Sequence, residues 1–316
     1  MTKQLVSLLV KRVVSISLGS SSRDYKREFE LGGETIIVER IGTDGDMERY
    51  RQLMEEFDGQ VDCFGIGGTD LYLRLGDRKY KIRDVWKKLV KNVKQSPMVD
   101  GGGIKSTLEG QIMQYIEQQL PEEVKEDRST LVTCAVDRFG QALSAWEFVG
   151  HNPKLITFGD LLWGFKLGIA IHRMRTIYVT GRILLPLVSR LPFAWLYPTG
   201  EKQEEHKPLH TKYFKKAKFI AGDFLFIKRY MPLEDMNGKI IVTNTTTEQD
   251  IKMLKDVGIR YLITSTPRVG GRSFGTNVLE AAIVALSGKK RELTTEEYMQ
   301  YLKELDIKPT IQKLND

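Results

Sequence analysis

Short apolar runs alternate with amphipathic stretches along nearly the whole chain, and this alternation constrains the fold more than any other feature. RVVSISL (12–18), ETIIVERIG (34–42), VDCFGIGG (61–68) and PMVD (97–100) read as strands, rich in β-branched residues and bounded by glycine or proline. DMERYRQLMEEFDG (46–59), DVWKKLVKNVKQ (84–95) and STLEGQIMQYIEQQL (106–120) carry apolar residues at helical spacing between them. DLYLRLGDRKYKIR (70–83) reads as a hairpin about Gly76-Asp77.

After a polar stretch at 121–129, which reads as a linker, a second series begins. STLVTCAV (129–136), KLITFGD (154–160), KFIAGDF (218–224), KIIVTN (239–244) and YLITSTP (261–267) are its strands; 137–150, 247–258 and 277–288 are its helices. Runs apolar throughout suit strands covered on both faces, as parallel sheets require. The expected fold class is α/β with two domains: an N-terminal α/β domain at 1–122, and at 123–316 a Rossmann-like, doubly wound, mostly parallel sheet, with a cleft between them. The length of 316 residues and 41% hydrophobic content support two cores. The apolar stretch 161–207, broken by Pro186 and Pro192, interrupts the second series. It is expected as a helical insertion at about 161–210 that packs on the sheet and bridges the domains; an arginine-bearing segment lying on a membrane surface is the competing reading.

Charge narrows the partners. The formal net charge is +7, of which residues 1–120 contribute +1 (19 Lys/Arg against 18 Asp/Glu) and the remainder +6 (29 against 23). That balance favours a small anionic metabolite or nucleotide. No basic run is interleaved with stacking aromatics, so no nucleic-acid partner is expected. Cys63 and Cys134 lie in apolar runs and read as buried thiols of a reducing cytoplasm. No membrane span and no metal site are expected, since no long apolar window or metal-ligand spacing occurs. A homo-oligomer is compatible with the sequence.

Three places gather residues suited to chemistry. VDGGGIKST (99–107) places Gly101, Gly102 and Gly103 between a strand and a helix, followed by Lys105, Ser106 and Thr107. Glycine precedes the lysine of a P-loop, whereas Ile104 stands here, so the expectation is a general anion site at a helix start. The second-series strands end in Asp137-Arg138, Asp160, Asp223, Asn244-Thr245 and Ser265-Thr266, at the edge where open parallel sheets bind ligands. RVGGRSFGTN (268–277) offers Arg268 and Arg272 as anion clamps, with Ser273, Thr276 and Asn277 as neutral hydrogen-bonding groups.

Taken together, VVSISLGSS, ERIGTDGDM, FGIGGTDLYL, VDGGG, AVDRFG, WLYPTGEKQEE and GRSFGTNV resemble a bacterial family labelled quinate 5-dehydrogenase, relatives of the shikimate dehydrogenases. The resemblance implies an oxidoreductase moving hydride between NAD or NADP and a quinate-like hydroxy acid. Lys105 would then share a proton with Asp137 or Asp100, and Ser15-Ile16-Ser17 would correspond to a substrate-gripping Ser-x-Ser. LVTCAVDRFGQA opens the second domain without a glycine fingerprint. The alternatives are a nucleotide- or sugar-phosphate-binding transferase, or a non-catalytic ligand-binding protein.

Overall fold

The computed structural model describes residues 10–193, 205–269 and 272–316, with Arg268, Val269 and Arg272 described by backbone alone. In the first half β1 (Lys11–Ser17), β2 (Tyr25–Leu31), β3 (Glu34–Gly42) and β4 (Cys63–Gly67) are followed by the hairpin of β5 (Tyr72–Leu75) and β6 (Arg78–Lys81), then by β7 (Met98–Val99). Five of them form one sheet in the order β2-β3-β1-β4-β7, parallel except for β2. β1 is buried from Val13 to Ser17, as its apolar run requires. β2, absent from the sequence expectations, alternates half-buried Tyr25, Arg27, Phe29 and Leu31 with exposed Lys26, Glu28 and Glu30, the pattern of an edge strand with one wet face.

The second half contributes β8 (Thr130–Val132), β9 (Ile156–Phe158), β10 (Phe219–Ala221), β11 (Ile240–Thr243) and β12 (Tyr261–Thr264). A two-residue pair follows, β13 (Arg268–Val269) and β14 (Arg272–Ser273), and then β15 (Thr310–Lys313). The order β15-β12-β11-β10-β8-β9 is parallel apart from β15. Strand order reverses between β8 and β10, and in the first sheet between β1 and β4, so each sheet is doubly wound with its own crossing point. Apolar clusters cover both faces of both sheets.

The chain does not keep to two consecutive blocks divided at 122. The helix Thr276–Ser287 returns to the first sheet, with Val278, Leu279 and Ile283 packed among Val13, Val38 and Cys63. Its sequence, TNVLEAAIVALS, is apolar but for Thr276, Asn277, Glu280 and Ser287, too narrow a polar stripe for a helix on a wet surface, so it is stable where it is surrounded. The helix Thr295–Glu304, capped by a Thr294/Glu297 capping box, lies beside it, and β15 then recrosses to the second sheet. The 121–129 stretch is no linker: Pro121–Glu126 is helical, and Glu123 is buried against Lys218 and Arg260. Within the insertion the helix Met174–Val188 buries Met174, Ile177 and Leu185 in the second-sheet core, while Gly181 faces Leu75 of the first-half hairpin, so it bridges the halves. No helix among the described residues is long and apolar enough to cross a membrane.

The halves touch closely at Gly140. A Cβ there would sit 2.2 Å from the Lys105 carbonyl oxygen and 3.1 Å from Ser106 Cα. In an isolated helix Gly→Ala gains about 1 kcal/mol. Here the contact reverses the sign: Gly140→Ala lowers stability by about 1–3 kcal/mol in urea titration, as overpacking against backbone does.

Candidate functional site

The carboxyl ends of the two sheets face each other across a cleft of about 160 Å³. On the first-sheet side it opens at the crossing point between β1 and β4, where Ser17 stands opposite Gly67 in register. Arg23 and Arg40 form the adjoining wall, and one Arg40 amine donates to Asp24 Oδ1 at 2.6 Å. Across the cleft stand Asp223 after β10, Asn244 and Thr245 after β11, and the segment Ser273–Val278. Gly65 and Gly67 lie on one face of β4. A Cβ on Gly65 would meet the Asn277 carbonyl oxygen at 3.0 Å, so this glycine lets the Thr276–Ser287 helix start directly on the strand. Asn277 Nδ2 donates to Ser15 Oγ at 2.9 Å, which closes the floor of the cleft.

A chain of charges runs from beneath the first sheet to this cleft. Lys105 Nζ lies 2.8 Å from Asp70 Oδ1 and 3.0 Å from Asp137 Oδ1. Asp137 Oδ2 is 3.5 Å from Arg138 Nε. Arg138, buried, donates to Glu109 Oε1 at 2.6 Å and to Asp223 Oδ2 at 2.9 Å. Ser265 Oγ then donates to the same Glu109 oxygen at 2.9 Å, and Asn244 Nδ2 to Asp223 Oδ2 at 2.9 Å. Burial alone would lower the Lys105 pKa, but Asp137 and Asp70 hold it above the ordinary lysine value. Burial likewise opposes ionisation of Asp137, and Lys105 and Arg138 outweigh it to keep the carboxyl below its usual range.

This arrangement places Lys105 and Asp100, both expected as catalytic, in fixed ion pairs. A lysine acts as a general base only after it has lost its own proton, which the two carboxylates beside Lys105 oppose. Asp100 is an anchor: against the effect of burial, Arg74 and Lys105 keep it ionised, aided by the Gly102 and Leu71 N–H groups. Its Oδ2 accepts from Leu71 N at 2.8 Å, and Arg74 donates to Oδ1 at 3.1 Å.

The glycine bend is also not an open anion cradle. The Gly102 N–H is taken by Asp100 Oδ1 at 3.0 Å and the Gly103 N–H by Glu280 Oε1 at 3.1 Å. The glycines answer to space instead. A Cβ would meet Thr276 Oγ1 at 2.6 Å from Gly101, the Arg74 guanidinium at 2.1 Å from Gly102 and the Tyr298 ring at 2.2 Å from Gly103; Gly101 also has φ +92°. Ser106 and Thr107 turn their hydroxyls back to the Gly103 carbonyl, at 3.0 and 2.6 Å. Asp160 is buried and accepts from the N–H groups of Ala135 (3.0 Å) and Val136 (2.9 Å), shaping the β8 turn rather than facing the cleft. Burial raises its pKa despite those bonds.

Of the ligand-binding expectations, Asp223, Asn244, Thr245, Ser273, Thr276 and Asn277 line the cleft. The side chains of Arg268 and Arg272 lie outside the described residues. Glu109 went unnoticed in the sequence, where a lone Glu carries no pattern, and Arg138 stood out only as one polar strand end among several, not as a hub. Ser15 and Ser17, two polar residues inside an otherwise apolar strand, were a usable signal. Among the described residues no group of three or more His, Cys, Asp or Glu is placed to hold a metal ion.

The family model for the domain of unknown function DUF8754 matches residues 103–314, that is 212 of the 316 residues. The chain belongs to that family. A second model, for the domain of unknown function DUF8753, matches residues 12–100, so the two models meet in the glycine bend. No curated protein matches in sequence. Solved structures that align with this DUF8754 chain include the periplasmic binding protein of the arabinose ABC transporter from Shewanella sp. ANA-3, bound to arabinofuranose (12% identity, 94% of this chain and 96% of that one, TM-score 0.38). An ABC-transporter periplasmic solute-binding protein from Actinobacillus succinogenes 130z with bound D-allose aligns at 10% identity, 96% and 97% coverage and TM-score 0.39. The NAD-dependent malic enzyme of Thermotoga maritima aligns at 9% identity, 93% and 84% coverage and TM-score 0.34.

Two buried groups give measurable expectations. Arg138→Met leaves Glu109 buried without a counter-charge and costs about 3–5 kcal/mol in denaturant unfolding; adding Glu109→Leu recovers part of that loss. Burial first, and then the Asp100 charge, raise Glu280 from 4.5 to about 8, while the Tyr298 hydroxyl donates to it at 2.5 Å. An acid whose folded pKa is raised keeps in the fold a proton that the unfolded chain gives up. Its contribution is therefore complete below about 4.5 and lost as pH rises towards 8. Unfolding free energies of Glu280→Gln across that window should show a flatter pH dependence than those of the parent.

Proposed function

We propose that the cleft binds a small, hydroxyl-bearing anionic metabolite and that the protein is a two-lobed ligand-binding protein. The observation that carries this reading is the composition of the cleft at the β1/β4 crossing point. Hydroxyls and amides of Ser15, Ser17, Asn244, Thr245, Thr276 and Asn277 converge there beside the guanidinium groups of Arg23 and Arg40. Neutral donors and acceptors of this kind read sugar-like or hydroxy-acid hydroxyls, and the arginines favour a carboxylate or phosphate on the same molecule.

The NAD(P)-dependent dehydrogenase reading is less well supported. In doubly wound sheets the pyrophosphate rests on the turn after the first strand, at the start of the following helix. After β8 that helix start carries buried Arg138, already bonded to two carboxylates, and Gly140 in contact with Lys105. The proton pair the resemblance would use is likewise held as a fixed ion pair.

A thermal-shift screen of hydroxy acids, aldonates and sugar phosphates tests the proposal. A stabilising compound is expected whose affinity falls about tenfold in Asn277→Ala and in Asn244→Ala, the loss of one buried hydrogen bond each. Stabilisation by NADH or NADPH alone would instead favour the dehydrogenase, and a hit indifferent to both substitutions would remove the cleft from the account.

A further inference from the structure

Away from the cleft, the helix Met174–Val188 exposes Val179 (51%), Ile183 (62%) and Leu187 (59%), successive i, i+4 neighbours along one stripe. Phe165, Leu167 and Ile169, in the loop leading to this helix, are exposed as well. Residues 161–193 hold five Lys or Arg and no Asp or Glu. Those five, Lys166, Arg173, Arg175, Arg182 and Arg190, are exposed, and none has an ion-pair partner among the described residues.

The neighbouring element continues the charge. Residues 78–94 hold eight Lys or Arg against one Asp, and they abut the helix: Arg83 N donates to the Ser189 carbonyl at 3.0 Å and Phe193 N to Asp84 Oδ2 at 3.0 Å. These fifty residues carry +12, so the rest of the chain carries −5 of the total +7. The basic excess of the protein is thus concentrated on two adjoining segments, one of which also exposes an aliphatic stripe.

We propose that this surface docks on an anionic lipid bilayer, with Val179, Ile183 and Leu187 entering the headgroup boundary and the flanking arginines meeting lipid phosphates. Charge complementarity selects an anionic partner. The aliphatic stripe selects a bilayer over a nucleic acid, which would call for stacking aromatics and for polar groups reading base edges.

Co-sedimentation of the full chain with phosphatidylcholine vesicles, with and without phosphatidylglycerol, tests this. Binding is expected only to the phosphatidylglycerol vesicles, weakening about tenfold as salt rises from roughly 0.1 to roughly 0.5 M. The exposed-site double variant Ile183→Ser/Leu187→Ser is expected to melt like the parent and to bind about tenfold more weakly. Failure to bind the anionic vesicles overturns the proposal, as does equal binding to neutral vesicles or binding that the double variant leaves unchanged. Two further results overturn it by naming another occupant: tighter binding to duplex DNA than to the vesicles at equal salt, or a dimer in light scattering that the double variant dissociates.

Discussion

Arg138 sits where the two sheets meet, 2% exposed, with Glu109, Asp137 and Asp223 around it. A guanidinium taken out of water is tolerated where carboxylates surround it: its two terminal amines donate to Glu109 and Asp223, Asp137 lies 3.5 Å from its Nε, and these partners come from three separate parts of the chain, the segment after the glycine bend, its own turn and the end of β10. Lys105 repeats the arrangement one step nearer the first sheet, between Asp70 and Asp137. The mutual positions of the strand ends are therefore set by charge pairs that cannot be separated without leaving ions unpaired in an apolar surround. The cleft inherits its shape from them, because Asp223 and Asn244 belong both to the network and to the cleft wall.

The glycine bend follows from the same packing. Asp100 and Glu280 occupy its N–H groups, and Thr276, Arg74 and Tyr298 stand where side chains would project. A run of three glycines beside a lysine resembles a phosphate loop in sequence because both demand close approach to backbone. Here the approaching groups are the protein's own acidic side chains and the start of a buried helix. Gly101 touches Thr276, so the bend and the 273–278 segment are neighbours, and of the two only the latter faces the cleft.

Much of the fold was legible because burial writes itself into composition. Apolar runs such as TLV and IIVT, buried at every position, mark strands covered on both faces, and they announced the second sheet. What escaped depended on partners distant in sequence. Nothing local in TNVLEAAIVALS says which sheet will surround it, so its return to the first sheet could not be read. β2 was hidden by its charges, although its alternation was present. The Thr294-x-x-Glu297 capping box was a local signal for the helix Thr295–Glu304 that went unread. At the site, polar strand ends pointed to Asp223, Asn244 and Thr245. Lys105 drew attention for its charge, and only the geometry separates a locked ion pair from a proton carrier.

The central claim is that the converging strand ends form one ligand cleft at the β1/β4 crossing and that the glycine bend is framework. A crystal soaked with a pool of anionic sugars and hydroxy acids tests it most directly. The account predicts ligand density bounded by Ser15, Asn244 and Asn277, with the Gly102 and Gly103 N–H groups still held by Asp100 and Glu280. Density seated instead on residues 101–107, with those two side chains displaced, would contradict it.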